Sequence, residues 1–361
     1  LGKLNINREH FVVSSLLELS IDLMLLQKDY SLKSYNTFGI EASCALFCEI
    51  TSTETLSEVF ENPEFKNGRK LVLGGGSNIL FTKNFDGLVL KNSMKGIEVI
   101  REDDEHVLVK AAAGEVWHEL VLFCIQNNFA GIENLSLIPG LVGAAPMQNI
   151  GAYGIELESE FYSLEAIHLH TGERMTFKKA DCNFGYRESV FKNKFKDQFF
   201  ITSVVFRLNK KPAFNITYGA INETLEKMGV KDLSIKAVSD AVIAIRSSKL
   251  PDPKVLGNAG SFFKNPEVPK EVFERVQNEY PKMPHYPAAH GLVKIPAGWL
   301  IEQCGWKGKR VGNTGSHKDQ ALVLVNYGNA TGNEIYSLAL DIKKSVKEKF
   351  GIEIIPEVNL V

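Results

Sequence analysis

From residue 71 the apolar positions arrive in short bursts broken by glycine. "LVL" runs into "GGGSN", and "GLVLKN" (87–92) resumes after a polar loop, which predicts strand, glycine turn, strand. "GIEVIRE" and "HVLVKAAAG" predict two more strands, whereas "EVWHELVLFCIQNNFAG" (115–131) has helical spacing closed by Gly131. "SLEAIHLHTGERMTF" (163–177) and "DQFFITSVVFRLN" (197–209) are strand-like and flank "CNFGYRESVFK" (182–192). "SIKAVSDAVIAIRSSKLPDPK" (234–254) predicts an amphipathic helix running into a proline-rich linker, the clearest domain boundary. Beyond it the pattern gives helices near 268–279, in "AGWLIEQCG" (297–305) and over 332–351, a strand in "ALVLVN" (321–326), and strand-like alternation in the terminal "IEIIPEVNLV". The order of elements is that of a mixed α/β or α+β protein.

Near the start, "FVVSSLLELSIDLMLL" (11–26) places Leu16, Leu19, Leu23 and Leu26 on one helical face. Glu18 and Asp22 interrupt it and no small-residue cleavage site follows, so an amphipathic helix or disordered extension is expected rather than a membrane span.

Composition narrows the partners. A chain of 361 residues with 44% hydrophobic and 23% charged residues has room for two or three domains. Its net charge of −2 gives no general attraction to nucleic acid or an acidic membrane, so any anion must be bound by a local cluster of cations. Lys249, Lys254, Lys264, Lys307, Lys309 and Arg310 recur near turns of the second half; if several converge, a diphosphate-bearing substrate is the natural partner. The five cysteines are scattered without a CxxC pair, which suits a reducing compartment; Cys44 and Cys48 read as small buried hydrophobes rather than metal ligands.

Several motifs carry chemistry, each with a plainer alternative. In "LVLGGGSNIL", the dinucleotide pattern GxGxxG started at Gly74 puts Ile79 at the last glycine and a strand where a helix belongs. What remains are three glycines with Ser77 and Asn78, exposing several N–H donors to a pyrophosphate or forming a tight turn. "LSLIPGLVGAAPMQNIGAYG" (135–154) reads as a ligand-lining loop or a buried structural one. Ser261, in "GNAGSFFKNP", fails the hydrolase-elbow pattern because Ala259 and Phe263 replace its glycines, and His317 is the best of eight histidines for a base without being tied to it. Arg187, in "FGYRESVFK", is suited to grip a carboxylate or to sit in a salt-bridged surface turn. Glu357, after a proline in an apolar segment, is either an edge charge or a buried acid of raised pKa.

In this order, "YNTFGIEA", "LVLGGGSNIL", "LSLIPGLVGAAPMQNIGAYGIEL", "FGYRESVFK", "ITYGAI", "SSKLPDPKVLGNAGSFFKNP", "KIPAGWLIEQCGWKG", "HKDQALVLVN" and "PEV" span about residues 30 to 361. The set resembles the UDP-N-acetylenolpyruvoylglucosamine reductase family, in its subgroup with YRxSxFK and an extra tyrosine-bearing loop, here around Tyr218.

That resemblance implies an α+β fold: a two-part FAD-binding module of the vanillyl-alcohol-oxidase type and a C-terminal α+β substrate-binding domain. It divides the chain into an extension (1–29), a first FAD-binding part (30–97 with 352–361), a second (98–250) and a substrate domain (251–351). It implies FAD as cofactor and NADPH as co-substrate, used to reduce the enolpyruvyl ether of UDP-N-acetylglucosamine enolpyruvate in peptidoglycan precursor synthesis. A monomer in the bacterial cytoplasm is expected, without metal, nucleic acid or membrane insertion. Another FAD oxidoreductase of the same fold and an inactive UDP-sugar-binding homologue are the alternatives.

By motif match, Arg187 and Glu357 polarise the substrate carboxylate and Ser261 protonates carbon. Flavin contacts fall to Gly74, Gly75, Gly76, Ser77, Asn78, Ile138, Pro139, Gly140, Gly143, Ala144, Asn149, Gly151, Ala152, Tyr153, Ile201 and Arg246. Substrate contacts fall to Tyr186, Tyr218, Lys249, Asn265 and Gln320.

Overall fold

The computed structural model describes residues 26–61 and 68–361; the helix or extension expected over 11–26 lies outside them except for Leu26. The first sheet has the order Gln27–Ser31, Ser43–Ile50, Phe85–Asn92, Lys70–Leu73. Its last three strands are parallel, and Lys70–Leu73 delivers the chain into the glycine turn at one end of the sheet.

The second sheet is antiparallel throughout, in the order Arg174–Lys178, Phe161–His168, Phe199–Asn209, His106–Ala112, Ile97–Glu102. Alternation in His106–Ala112 buries Val107, Val109 and Ala111 completely. These pack with Trp117, Leu120, Val121 and Cys124 of the helix Trp117–Gln126 in one core. That helix stops earlier than its spacing suggests, because Asn128 rather than Gly131 first takes the left-handed conformation (φ 59°).

After the helix Ile235–Lys249, whose first turn is capped by Ser234 Oγ accepting from the Ala237 N–H, the linker leads into a third sheet. It runs Gly257–Ser261, Val323–Asn326, Thr314–Ser316, Arg310–Val311. The helix Gly332–Phe350 lays Ile335, Leu338, Ile342 and Val346 on it at helical spacing. One core draws on residues from Leu32 to Val89 and again from Ala259 to Val358, so the glycine-turn sheet and the C-terminal part share an interior.

Ser261 ends the strand Gly257–Ser261, and Gly260 before it has φ 69°. One expectation changes. The terminal "IEIIPEVNLV" forms regular strand only at Asn359–Leu360, parallel to Ile79–Leu80. Upstream of that strand, two backbone bonds hold the segment: Lys264 N–H to the Ile355 carbonyl (3.0 Å) and Glu357 N–H to the Phe262 carbonyl (2.8 Å). Pro356 between them has no N–H to offer a ladder.

Candidate active site

Two glycine loops face each other. Gly76, with φ 64°, accommodates a turn in which a Cβ would lie 1.9 Å from the Tyr35 carbonyl oxygen, so no other residue fits. A Cβ on Gly75 would stand 3.1 Å from Gly140 Cα, in the loop after Pro139, where φ is 117°. Between these loops opens a cleft of about 600 Å³, within the range that takes a cofactor. Residues 74–78, Ile138, Pro139, Gly140 and Ala144 line it together with Gln148 and Lys192. A smaller cavity of about 100 Å³ brings in Gly143 and Ile201 beside Asn92.

Arg187 sits at the apex of a turn with φ 58°, closed by reciprocal backbone bonds between Gly185 and Glu188 (both 3.1 Å). Lys192 Nζ donates to the Arg187 carbonyl (3.1 Å) and Ser189 Oγ to the Met147 carbonyl (2.7 Å), so the serine and lysine of "YRESVFK" hold the turn against the loop. The guanidinium donates to the carbonyls of Gly151 (2.6 Å) and Asn149 (3.4 Å), and its Nε lies 3.4 Å from Glu357 Oε1. Asn149, fully buried at φ 45°, ties this corner together by donating to Glu156 and to the Gly185 carbonyl (each 3.1 Å).

Glu357 is mostly but not fully enclosed, and the loss of solvent pushes its pKa up; Arg187, Lys192 and Lys264 pull it down without outweighing that. Asn78 of the glycine turn donates to Gln148 (2.9 Å) and reaches the Glu357 carbonyl (3.4 Å), joining cleft and carboxylate. Ser261 precedes Phe262, whose carbonyl receives the Glu357 N–H, while Phe262 and Phe263 are buried in the core beneath. The serine itself is exposed, and its hydroxyl makes no hydrogen bond among the described residues.

Burial also raises the pKa of Tyr186, whose ring carries Lys294 Nζ 3.4 Å from its centroid. Tyr218 stacks on Tyr286 with centroids 5.9 Å apart. Asn265 Oδ1 accepts the N–H of Ala297 (2.9 Å) and Gln320 Oε1 that of Leu322 (3.4 Å), which leaves the amide nitrogen of each side chain available. Lys249 closes its helix at an exposed position.

Of the turn lysines, Lys264 reaches the site, in contact with Glu188 at 3.3 Å. Lys307 pairs with Glu302, Lys309 lies over Trp306 and Arg310 over Tyr327, each away from it. His317 is buried just past the strand Thr314–Ser316 and accepts from the Asp319 N–H (3.4 Å), a structural position. Sequence reasoning missed Lys294, Tyr286, Gln148 and Glu156: the first two stand outside any glycine-rich run, the last two fall in or just after the loop 135–154 without a glycine's local mark, and only the fold brings each in.

Asn149 and Gly151 lie toward Arg187, their carbonyls accepting from its guanidinium, and neither they nor Ala152 and Tyr153 line the large cleft. Arg246, on the helix Ile235–Lys249, has its charge within reach of the Tyr153 hydroxyl. Its buried Nε has no hydrogen-bond partner among the described residues, the kind of donor that a bound polar group satisfies. The glycine cradles, the cleft volume and this orphaned donor fit a large phosphate-bearing, ring-containing cofactor.

Comparison with known proteins gives that cofactor a class. An FAD binding domain family matches residues 44–177, so the paired sheets and glycine loops are those of an FAD-dependent oxidoreductase. A second family, UDP-N-acetylenolpyruvoylglucosamine reductase, C-terminal domain, matches residues 252–361. A reductase of that name from Flavobacterium johnsoniae is 54% identical, covering 94% of this chain and 100% of the relative. One from Amoebophilus asiaticus is 51% identical over the same shares. The chain belongs to the UDP-N-acetylenolpyruvoylglucosamine reductase family. The crystal structure of a Thermus caldophilus reductase of this kind shares the fold, with a TM-score of 0.62 at 20% identity, covering 93% of this chain and 97% of that one.

Proposed function

We propose that this chain reduces the enolpyruvyl ether of UDP-N-acetylglucosamine enolpyruvate to UDP-N-acetylmuramate, with NADPH as the electron source. When bound, the flavin supplies a two-electron carrier between NADPH and the substrate. The protein's task lies at the substrate. Hydride added to the terminal alkene carbon breaks the C=C π bond, moving its electron pair onto the neighbouring carbon and, by resonance, the adjoining carboxylate. The observation that carries the reading is the largely enclosed Arg187–Glu357 pair, 3.4 Å apart with side chains 19% and 13% exposed, with Arg187 fixed by two carbonyls and Glu357 of raised pKa.

Arg187 offers a fixed positive charge where negative charge develops, and a protonated Glu357 offers a hydrogen bond to the same carboxylate. Ser261, whose hydroxyl has no partner among the described residues, gives its proton to carbon to complete the saturated lactyl ether. A hydroxyl is a weak acid, but an enolate carbon is a strong enough base that position decides the transfer. Tyr186, Tyr218, Lys249, Asn265 and Gln320 hold the sugar nucleotide in this reading.

The separate core over Val107–Leu208 supports a second FAD-binding part distinct from the first, and the linker after Lys249 supports a substrate domain beyond it. A cytoplasmic monomer is part of the same reading. Among the described residues, no helix is long and apolar enough to cross a membrane.

The deciding experiment is an anaerobic two-step titration of the purified yellow protein. NADPH is expected to bleach the flavin and the enolpyruvyl sugar nucleotide to restore its colour. A protein bleached by NADPH but recoloured only by oxygen would overturn the substrate assignment, and one without flavin would overturn the activity.

A further inference from the structure

The segment 210–220, which carries Tyr218, runs from the strand Phe199–Asn209 to the helix Ile221–Lys227 without regular structure of its own. It is held from beneath by Asn134, whose side chain is 1% exposed. Asn134 Nδ2 donates to the carbonyl of Tyr153 (3.0 Å) and to that of Asn215 (2.7 Å). Both hydrogens of one amide are thus committed to two different segments. The reversed amide would set an oxygen against two carbonyl oxygens, so the orientation is fixed.

Asn215 answers by donating its own Nδ2 to the Gly154 carbonyl (3.2 Å). Contact here is close: a Cβ on Gly154, where φ is 80°, would lie 3.0 Å from Asn215 Nδ2 and 3.2 Å from Tyr218 Cβ. At the strap's far side the Tyr218 ring stacks on Tyr286, which lies beyond the linker, with 26° between the ring planes. Both rings are about two-fifths exposed (43% and 42%), so this contact is the softer of the two attachments. Gly154, against which Tyr218 packs, lies three residues from Gly151, whose carbonyl accepts from Arg187, so the strap and the catalytic corner share one turn.

We propose that Asn134 is a positioning residue: its amide pins the 210–220 strap to the turn at Tyr153 and Gly154, so that Tyr218 stands over the substrate cleft and sets affinity for the sugar nucleotide. Its own seat is rigid. The short helical turn Glu133–Leu135 is fixed on one side by the Gly131 N–H donating to Glu133 (2.7 Å) and on the other by Ser136 Oγ donating to the Glu133 carbonyl (2.7 Å). The ligand in this inference rests on the function proposed above; the pinning does not.

Two measurements on the flavin-loaded protein separate them. Chymotrypsin cleavage after Phe214 and Tyr218, mapped by mass spectrometry, reports whether the strap is held. Titration of the flavin absorbance with the enolpyruvyl sugar nucleotide reports affinity. Asn134→Ala and Asn134→Asp are expected to keep flavin, to accelerate cleavage about tenfold and to raise Kd about tenfold. In a Tyr218→Ala background, Asn134→Ala is expected to change Kd less than about twofold, since the two act through one element.

Unchanged cleavage, unchanged Kd, or fully additive effects in the double variant would each overturn the proposal. If the Asn134 variants fail to fold, Gly154→Ala disturbs the same contact from the other side, and it is expected to raise both quantities. A parent protein that does not bind the nucleotide would sink the functional reading, and the cleavage rates would still judge the pin.

Discussion

The Nε of Arg187 lies 3.4 Å from Oε1 of Glu357, yet burial raises the pKa of that carboxyl instead of leaving it an ordinary ion-pair partner. The guanidinium spends two of its donors on the carbonyls of Gly151 and Asn149, so its geometry is fixed without the carboxylate. Glu357 is therefore suited to be neutral beside a cation whose position does not depend on it.

Glu357→Gln follows with a definite sign. The ordinary glutamate pKa is 4.5 and the folded value is raised, so the folded chain binds the proton more tightly than the unfolded one. Stability from this group is complete below 4.5 and is lost as pH rises through the folded pKa. Gln mimics the protonated form. Thermal unfolding from pH 4 to pH 9 is expected to show the variant gaining on the parent as pH rises, with loss of turnover throughout. A variant that loses ground to the parent as pH rises, or keeps a constant difference, would disprove the raised pKa.

Ser261→Ala removes an exposed hydroxyl with no partner among the described residues, so stability is expected to stay within about 0.5 kcal/mol of the parent. Stopped-flow traces are expected to show flavin reduction by NADPH nearly intact and reoxidation by substrate slowed about 100- to 10,000-fold. Ser261→Cys is expected to fall between, because a thiol still donates. Equal loss in both half-reactions would remove the serine from the protonation step.

Arg187→Lys keeps a positive charge at the same strained φ of 58° but gives up the planar fork that reaches two carbonyls and the carboxylate. A fall in kcat of about 100-fold is expected, with flavin content unchanged. Retained kcat with raised KM would make Arg187 a ground-state binder only.

Gly76→Ala tests the cradle. The new methyl would meet the Tyr35 carbonyl oxygen at 1.9 Å on a backbone of φ 64°. Destabilisation of about 2–5 kcal/mol and loss of flavin on gel filtration are expected. A variant purified yellow with an unchanged Tm would show that the turn can open.

Much of the scaffold was legible because periodicity reports burial. The helix Gly332–Phe350 and the antiparallel strands around Phe199–Asn209 lie where their apolar spacing puts them. The terminal segment misled because its alternation reflects anchoring against Phe262 and the third sheet's core rather than membership of a ladder. At the site, the glycine turns stood out because few residues tolerate their dihedral angles. Lys294 and Tyr286 did not, since nothing local marks a lysine that will lie over Tyr186 or a tyrosine that will meet Tyr218. Asn134 is the same case: an asparagine in a run of loop residues acquires its role only from carbonyls supplied elsewhere.

The bond from Asn78 to the Glu357 carbonyl joins positions 279 residues apart, and the strand Asn359–Leu360 completes the join beside Ile79–Leu80. Closing so long a loop carries an entropic cost that local hairpins avoid, so this join is expected to form late in folding. Refolding then passes through a species with the sheets around Phe85–Asn92 and Phe199–Asn209 made and the acid still out of place. Native-like circular dichroism is expected to return before turnover does, and simultaneous recovery would contradict that order. The enzyme becomes chemically competent only when the two distant ends of its topology meet, which makes activity a readout of completed folding.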